Sequence, residues 1–217
     1  MKQRLTFLPL LLILGLSCGC VKLSDLKQTG VETTYYTLEY DPPATAAAEP
    51  ISDVLRINRF TAAPLFSSKK IIYKRKKFQT GEYLYHQWHV RPAEEIASLL
   101  TRDMRQSGLF PAVMGPAGVV PAAVSIGGNL ESFLEDDTRT PWQAVLSLEI
   151  RLIDETEPDI DKRVLMQKVY TAVEPCARKN PRATAEAMSR AMQRISKEIV
   201  KDVYDRLKER EKERLRG

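Results

Sequence analysis

The chain has little of what most catalytic and metal sites are built from. Its 217 residues hold two histidines, His86 and His89, and three cysteines, Cys18, Cys20 and Cys176. Two imidazoles three residues apart at the end of a strand do not reach one face at metal distance, and no third histidine exists to complete a set. No metal and no cofactor is therefore expected. The sequence lacks G-x-x-x-x-G-K-S/T, which excludes a phosphate-cradling ATPase loop. Ser125-Ile126-Gly127 lacks the preceding glycine and the strand-to-helix turn of a nucleophile elbow. Charge of one sign is also missing: 33 basic residues face 28 acidic ones, a formal net charge of +5, too small to indicate nucleic acid. Finally, no long apolar run exists. The run from Phe7 to Leu16 falls far short of the roughly 20 residues that a membrane-spanning helix needs.

What that short run does carry is an export signal. Lys2 and Arg4 supply the charged start, and the apolar stretch ends in Leu16-Ser17-Cys18-Gly19-Cys20, small residues followed by cysteine. This is the arrangement read by bacterial lipoprotein processing. Small side chains fit the peptidase beside the cut, and a cysteine thiolate accepts the diacylglycerol. Cys20 fits better than Cys18, because bulky Leu16 lies two residues before Cys18. Residues 1–19 are then a signal peptide, and Cys20 is the lipidation site. A triacyl group there would anchor the chain stably to a membrane, as one acyl chain alone would not. The next residue is Val21 rather than the Asp that retains lipoproteins at the inner membrane of enteric-type bacteria, so the expected location is the outer membrane, facing the periplasm.

Cleavage leaves Cys176 as the sole unblocked thiol, so no intramolecular disulfide is expected and the fold must rest on its core. Flanked by Pro175 and Ala177 with no histidine nearby, Cys176 reads as a small buried hydrophobe. Residues 20–33 read as a lipidated tether, residues 34–207 as one domain and residues 208–217 as a charged C-terminal extension with Leu215 as its only apolar side chain.

Within the domain, two patterns recur. Period-two alternation marks strands at Tyr35–Tyr40, Val54–Phe60, Leu109–Met114, Ala123–Leu134, Trp142–Ile153 and Val164–Val173. Gly127-Gly128 suggests a bulge or sharp bend, and Glu135-Asp136-Asp137-Thr138 an acidic turn. Met188, Ala191, Met192, Ile195, Ile199, Val203 and Leu207 recur at steps of three and four, a long amphipathic helix opened by Asn180 as cap and Pro181.

The densest cluster of aromatics lies between residues 69 and 100. Ile71 to Lys74 and Glu82 to Tyr85 alternate as two strands, with Gln79-Thr80-Gly81 read as the turn between them. Trp88 closes the second strand. Pro92 then opens a helix in which Glu94 and Glu95 suit the positive end of the dipole, and Ser107-Gly108 ends it. Six positive charges between Lys69 and Lys77 read as a solvated strand edge that resists aggregation, with anionic headgroups as the functional alternative. Tyr73, Tyr83, Tyr85 and Trp88 are the candidate partner-binding residues. Such residues on a hairpin either pack as cross-strand core pairs or project outward as interface anchors, and strand period alone does not choose.

Ile71-Ile72-Tyr73-Lys74, Tyr83-Leu84-Tyr85-His86-Gln87-Trp88 and Arg91-Pro92, with Tyr35-Tyr36-Thr37-Leu38 and Phe60 to Pro64 before them, resemble the recurring core of the ABC-type transport auxiliary lipoprotein family. The likeness extends over about residues 35–205, and Lys74 stands where that family more often has Arg. The resemblance implies a non-enzymatic lipoprotein that docks an ABC/MCE-type lipid transport assembly to the outer membrane. Its partners would be an MCE-domain protein and ABC transporter subunits, and a homo-oligomer is allowed. The alternative is an envelope structural or assembly lipoprotein serving a secretion or cell-wall machine. The element order independently gives an α/β fold class: a single mixed, largely antiparallel sheet packed against two main helices.

Overall fold

The computed structural model describes residues 31–45, 48–118 and 121–216. Its organising strand is β7, Val124–Asp136, which receives neighbours along both edges. On one edge β8, Gln143–Asp154, runs antiparallel to it, and β9, Val164–Pro175, runs antiparallel to β8. On the other edge three shorter strands follow end to end in one pass of the chain: β2, Leu55–Ile57, then β3, Thr61–Ala62, then β4, Lys70–Lys76. All three run parallel to β7, starting from Leu55↔Val124, Thr61↔Asn129 and Ile72↔Leu134. β5, Gln79–Trp88, returns antiparallel to β4, and β1, Thr34–Tyr36, lies parallel to β5. A short β6, Val113–Met114, closes the edge beside β2 in parallel.

The sheet is therefore mixed, and the expectation that it is largely antiparallel is corrected. Alternating side chains record which face of a strand is buried, but not the direction of its neighbour, and the one pass of β2, β3 and β4 beside β7 is what makes those pairings parallel.

The helices form where the sequence places them. α1, Pro92–Gln106, opens on proline with Glu94 and Glu95 in its first turn, and Gly108 adopts a left-handed φ of 69° just beyond its end. α2 runs Pro181–Arg216, and the Asn180 carboxamide oxygen accepts the Ala183 N–H at 2.9 Å. Ala144, Leu146, Leu148, Ile150 and Leu152 on one face of β8 are all fully buried, as are Met188, Ala191, Met192, Ile199 and Val203 of α2. α2 lies against β8 and β9, while α1 lies against β2, β6, β7 and α2. Asp103 of α1, itself buried, ties these layers together by accepting from Tyr40 Oη at 2.7 Å and Ser196 Oγ at 2.5 Å, with Arg102 ion-paired to it at 2.8 Å.

Two local readings also change. The backbone at Gly127 and Gly128 keeps its register, and the irregularity falls between Leu130 and Ser132. Gly128 is needed for another reason: a Cβ there would meet the Phe60 ring at 2.6 Å. The acidic run does not begin a turn at Glu135, because Glu135 and Asp136 are still strand and Glu135 is completely buried.

Candidate functional site

The aromatic strand is interrupted. Lys70 pairs with Gln87 and Ile72 with Glu82, so two steps along β4 answer to five along β5. Residues Tyr83 to His86 therefore form a bulge that has no partner positions on β4, and the regular face-to-face alternation fails there. Tyr83 turns inward and half buries, whereas Leu84 is 73 % and Tyr85 47 % exposed. The bulge also brings Tyr83 and His86 edge to face at 5.8 Å, although they lie three positions apart in the strand. Tyr73 stacks edgewise on Tyr83 at 5.0 Å and lies over Gly81, where a Cβ would come within 2.4 Å of its ring. The turn itself is Lys77-Phe78, beginning two residues before the expected Gln79-Thr80-Gly81, which belongs to β5.

Under the bulge lies an open cleft of about 660 Å³ between the hairpin and the N-terminus of α2, lined by Tyr73, Arg75, Tyr83, Tyr85, His86, Asp137, Trp142, Lys179 and Pro181 among others. Asp137 lines it, and the fully buried Glu135 lies behind it, accepting from Tyr83 Oη at 2.7 Å and from Thr184 Oγ1 of α2. Burial and the neighbouring Glu135 carboxylate push the Asp137 carboxyl up to about 7, so it takes up a proton near neutrality. Burial and the same Glu135 carboxylate raise the Tyr83 phenol, which stays a neutral donor. The rim is cationic: Arg75 lies over the Tyr73 ring at 5.3 Å, and Lys179 over Trp142 at 5.8 Å.

Of the residues expected to meet a partner, Tyr73, Tyr83 and Tyr85 line this cleft together. Trp88 does not: it is 1 % exposed and packs on Phe133 at 4.9 Å, a core residue with no surface to offer. Cys20 lies outside the described residues. His86 Nδ1 is 3.1 Å from Tyr36 Oη, and His89 meets the Tyr35 ring edgewise at 5.8 Å, so each histidine has an aromatic neighbour. Cys176 is buried, its thiol raised chiefly by that burial. Glu135 and Thr184 were missed in the sequence, where an acidic run read as a turn and a threonine in a helical stripe gave no sign of meeting. Arg210 was missed too: it is buried within the charged tail and pairs with Asp53 at 2.8 Å and with Asp154. Among the described residues no helix is long and apolar enough to cross a membrane.

The structure is a mixed α/β domain with an open, aromatic-lined cleft and a cationic rim, on a sheet backed by two helices. Its family is shown: residues 36–200 match the model of the ABC-type transport auxiliary lipoprotein component, and the chain belongs to that family. Among solved structures, protein XCC0632 from Xanthomonas campestris is similar at 18 % identity, covering 82 % of this chain and 99 % of that one, with a TM-score of 0.73. Protein CT253 from Chlamydia trachomatis is similar at 12 % identity, covering 71 % and 96 %, with a TM-score of 0.50. At such identities the likeness is one of fold. No curated protein matches the chain.

Proposed function

We propose that this chain is a non-enzymatic, lipid-anchored subunit of an ABC transport system that moves lipid together with an MCE-domain protein, and that it docks that assembly at the outer membrane from the periplasmic side. Family membership supplies the transport context. The observation that carries docking is the bulge. Leu84 and Tyr85 are held outward by three extra residues in β5, over a cleft backed by the contacts of Glu135 with Tyr83 and Thr184. Exposed aromatic and aliphatic side chains on a rigid support are what an interface anchor requires, because little entropy remains to be lost on binding. Arg75 and Lys179 at the rim suit a partner that presents carboxylates or phosphates there.

Anchoring is assigned to Cys20, with residues 20–33 as tether. Cys20→Ser should abolish acylation and release the chain to the soluble periplasmic fraction, checked by membrane fractionation and palmitate labelling. Label that persists in Cys20→Ser and disappears in Cys18→Ser would move the anchor to Cys18. The docking reading is tested by gentle membrane extraction of the tagged chain and identification of what co-purifies. An ABC permease, its ATPase and an MCE-domain protein are expected, whereas a secretion or cell-wall complex in their place would overturn it.

A further inference from the structure

The β4–β5 hairpin extends beyond the strands that support it. β4 has its last partner on β7 at Lys74↔Asp136, and β1 reaches β5 only from His86 onward, so residues past Lys74 pair with nothing but the other arm of the hairpin. At the tip stands Phe78, 90 % exposed and with a φ of 67°. Both features oppose folding. A left-handed turn position favours glycine or asparagine, and an exposed phenyl ring gains no burial. Just before it come Lys74, Arg75, Lys76 and Lys77, and the Lys77 ammonium rests 4.9 Å from the Phe78 ring.

We propose that this tip is a membrane-contacting element, in which the four cations settle on the headgroups of an anionic phospholipid bilayer while Phe78 enters the acyl boundary. Charge complementarity supports the bilayer as occupant, since clustered Lys and Arg side chains are drawn to anionic lipid within a Debye length of its surface. The shape supports it as well. One convex ring needs no matching hole in a fluid apolar layer, and long lysine side chains keep their ammonium groups at the interface while it enters.

The contact is independent of partner docking, and its test contains no transport component. The mature chain from residue 20, carrying Cys20→Ser in every arm so that neither an acyl anchor nor the apolar run of residues 7–16 contributes, is titrated with phosphatidylcholine vesicles with and without phosphatidylglycerol. The parent should bind the anionic vesicles and lose them as salt is raised. Phe78→Asn suits the left-handed turn, so it should fold at least as well while binding about tenfold more weakly. Lys76→Glu with Lys77→Glu should remove the preference for phosphatidylglycerol. Phe78→Trp should shift its added emission to the blue and be quenched by brominated acyl chains. Equal vesicle binding by Phe78→Asn and its parent, or an unquenched Phe78→Trp, would overturn the proposal and point to an acidic protein surface instead.

Discussion

The β7–β8–β9 meander under α2 and the β4–β5 hairpin use the same strand-forming residues and reach opposite ends. Along β8, alternate residues from Ala144 to Leu152 are fully buried, although its register breaks once with β7 and once with β9. In the hairpin the register also breaks twice, and there Phe78, Leu84 and Tyr85 face solvent. The difference teaches that alternation is kept where a helix covers the sheet, and is lost where no layer covers the strand. The first region holds most of the buried core, and the second carries the exposed side chains to which the proposed docking is assigned.

Removing core from the meander should show the largest effect on stability. Leu148→Ala, at a fully buried site between β7, β9 and α2, should lower unfolding free energy by about 4 kcal/mol in a denaturant melt. A loss below about 1 kcal/mol would mean that this region is not the stable half. Arg210→Ala comes next. It removes the nearer of two guanidinium partners from the buried Asp154 carboxylate, leaving Arg214 at 3.7 Å and the Thr156 N–H at 2.9 Å, so the loss should be about 3 kcal/mol, the low end for breaking a buried pair. The same melt checks it.

Asp137 is where the two regions meet, and there the effect should be smaller and dependent on pH. Its folded carboxyl is raised from 3.8 to about 7, so the folded state holds the proton more tightly than the unfolded chain does. Its contribution to stability is full below about pH 4 and is lost as pH rises through about 7. Asp137→Asn should remove that slope. Because the site is partly open to solvent, the difference in stability between pH 5 and pH 8 should fall by about 1 kcal/mol relative to the parent. Paired melts at the two pH values measure it, and a slope unchanged by the substitution would place the proton elsewhere.

How much of this was legible follows the same division. The α2 stripe, the β8 alternation and the Pro92 start of α1 are written in periodicity, because each element buries one regular face. The parallel pairing of β2, β3 and β4 was not, since strands of two to seven residues carry no sign of their neighbour's direction. Nor was the backing of the cleft: Glu135 sits in an acidic run whose composition suggests a turn, and only the fold brings Tyr83 and Thr184 to it. Tyr73, Tyr83, Tyr85 and Trp88 follow from aromatics on a predicted hairpin, where strand period does not tell core from solvent. The bulge then separates them, leaving Tyr85 exposed and Trp88 in the core. Arg210 was hidden because a buried arginine in a charged helix looks like any solvated one until Asp53 and Asp154 are placed beside it.

Tyr85→Ala should have the smallest effect on stability and tests the division of labour most directly. Its ring lies outside the core on the bulge, so the melting transition should move by no more than about 0.5 kcal/mol. Capture of the proposed MCE-domain partner by the same variant should weaken by roughly 1 to 3 kcal/mol. Unchanged stability with lost capture is the result the account predicts, and a collapse in stability, or capture as strong as the parent's, would contradict it.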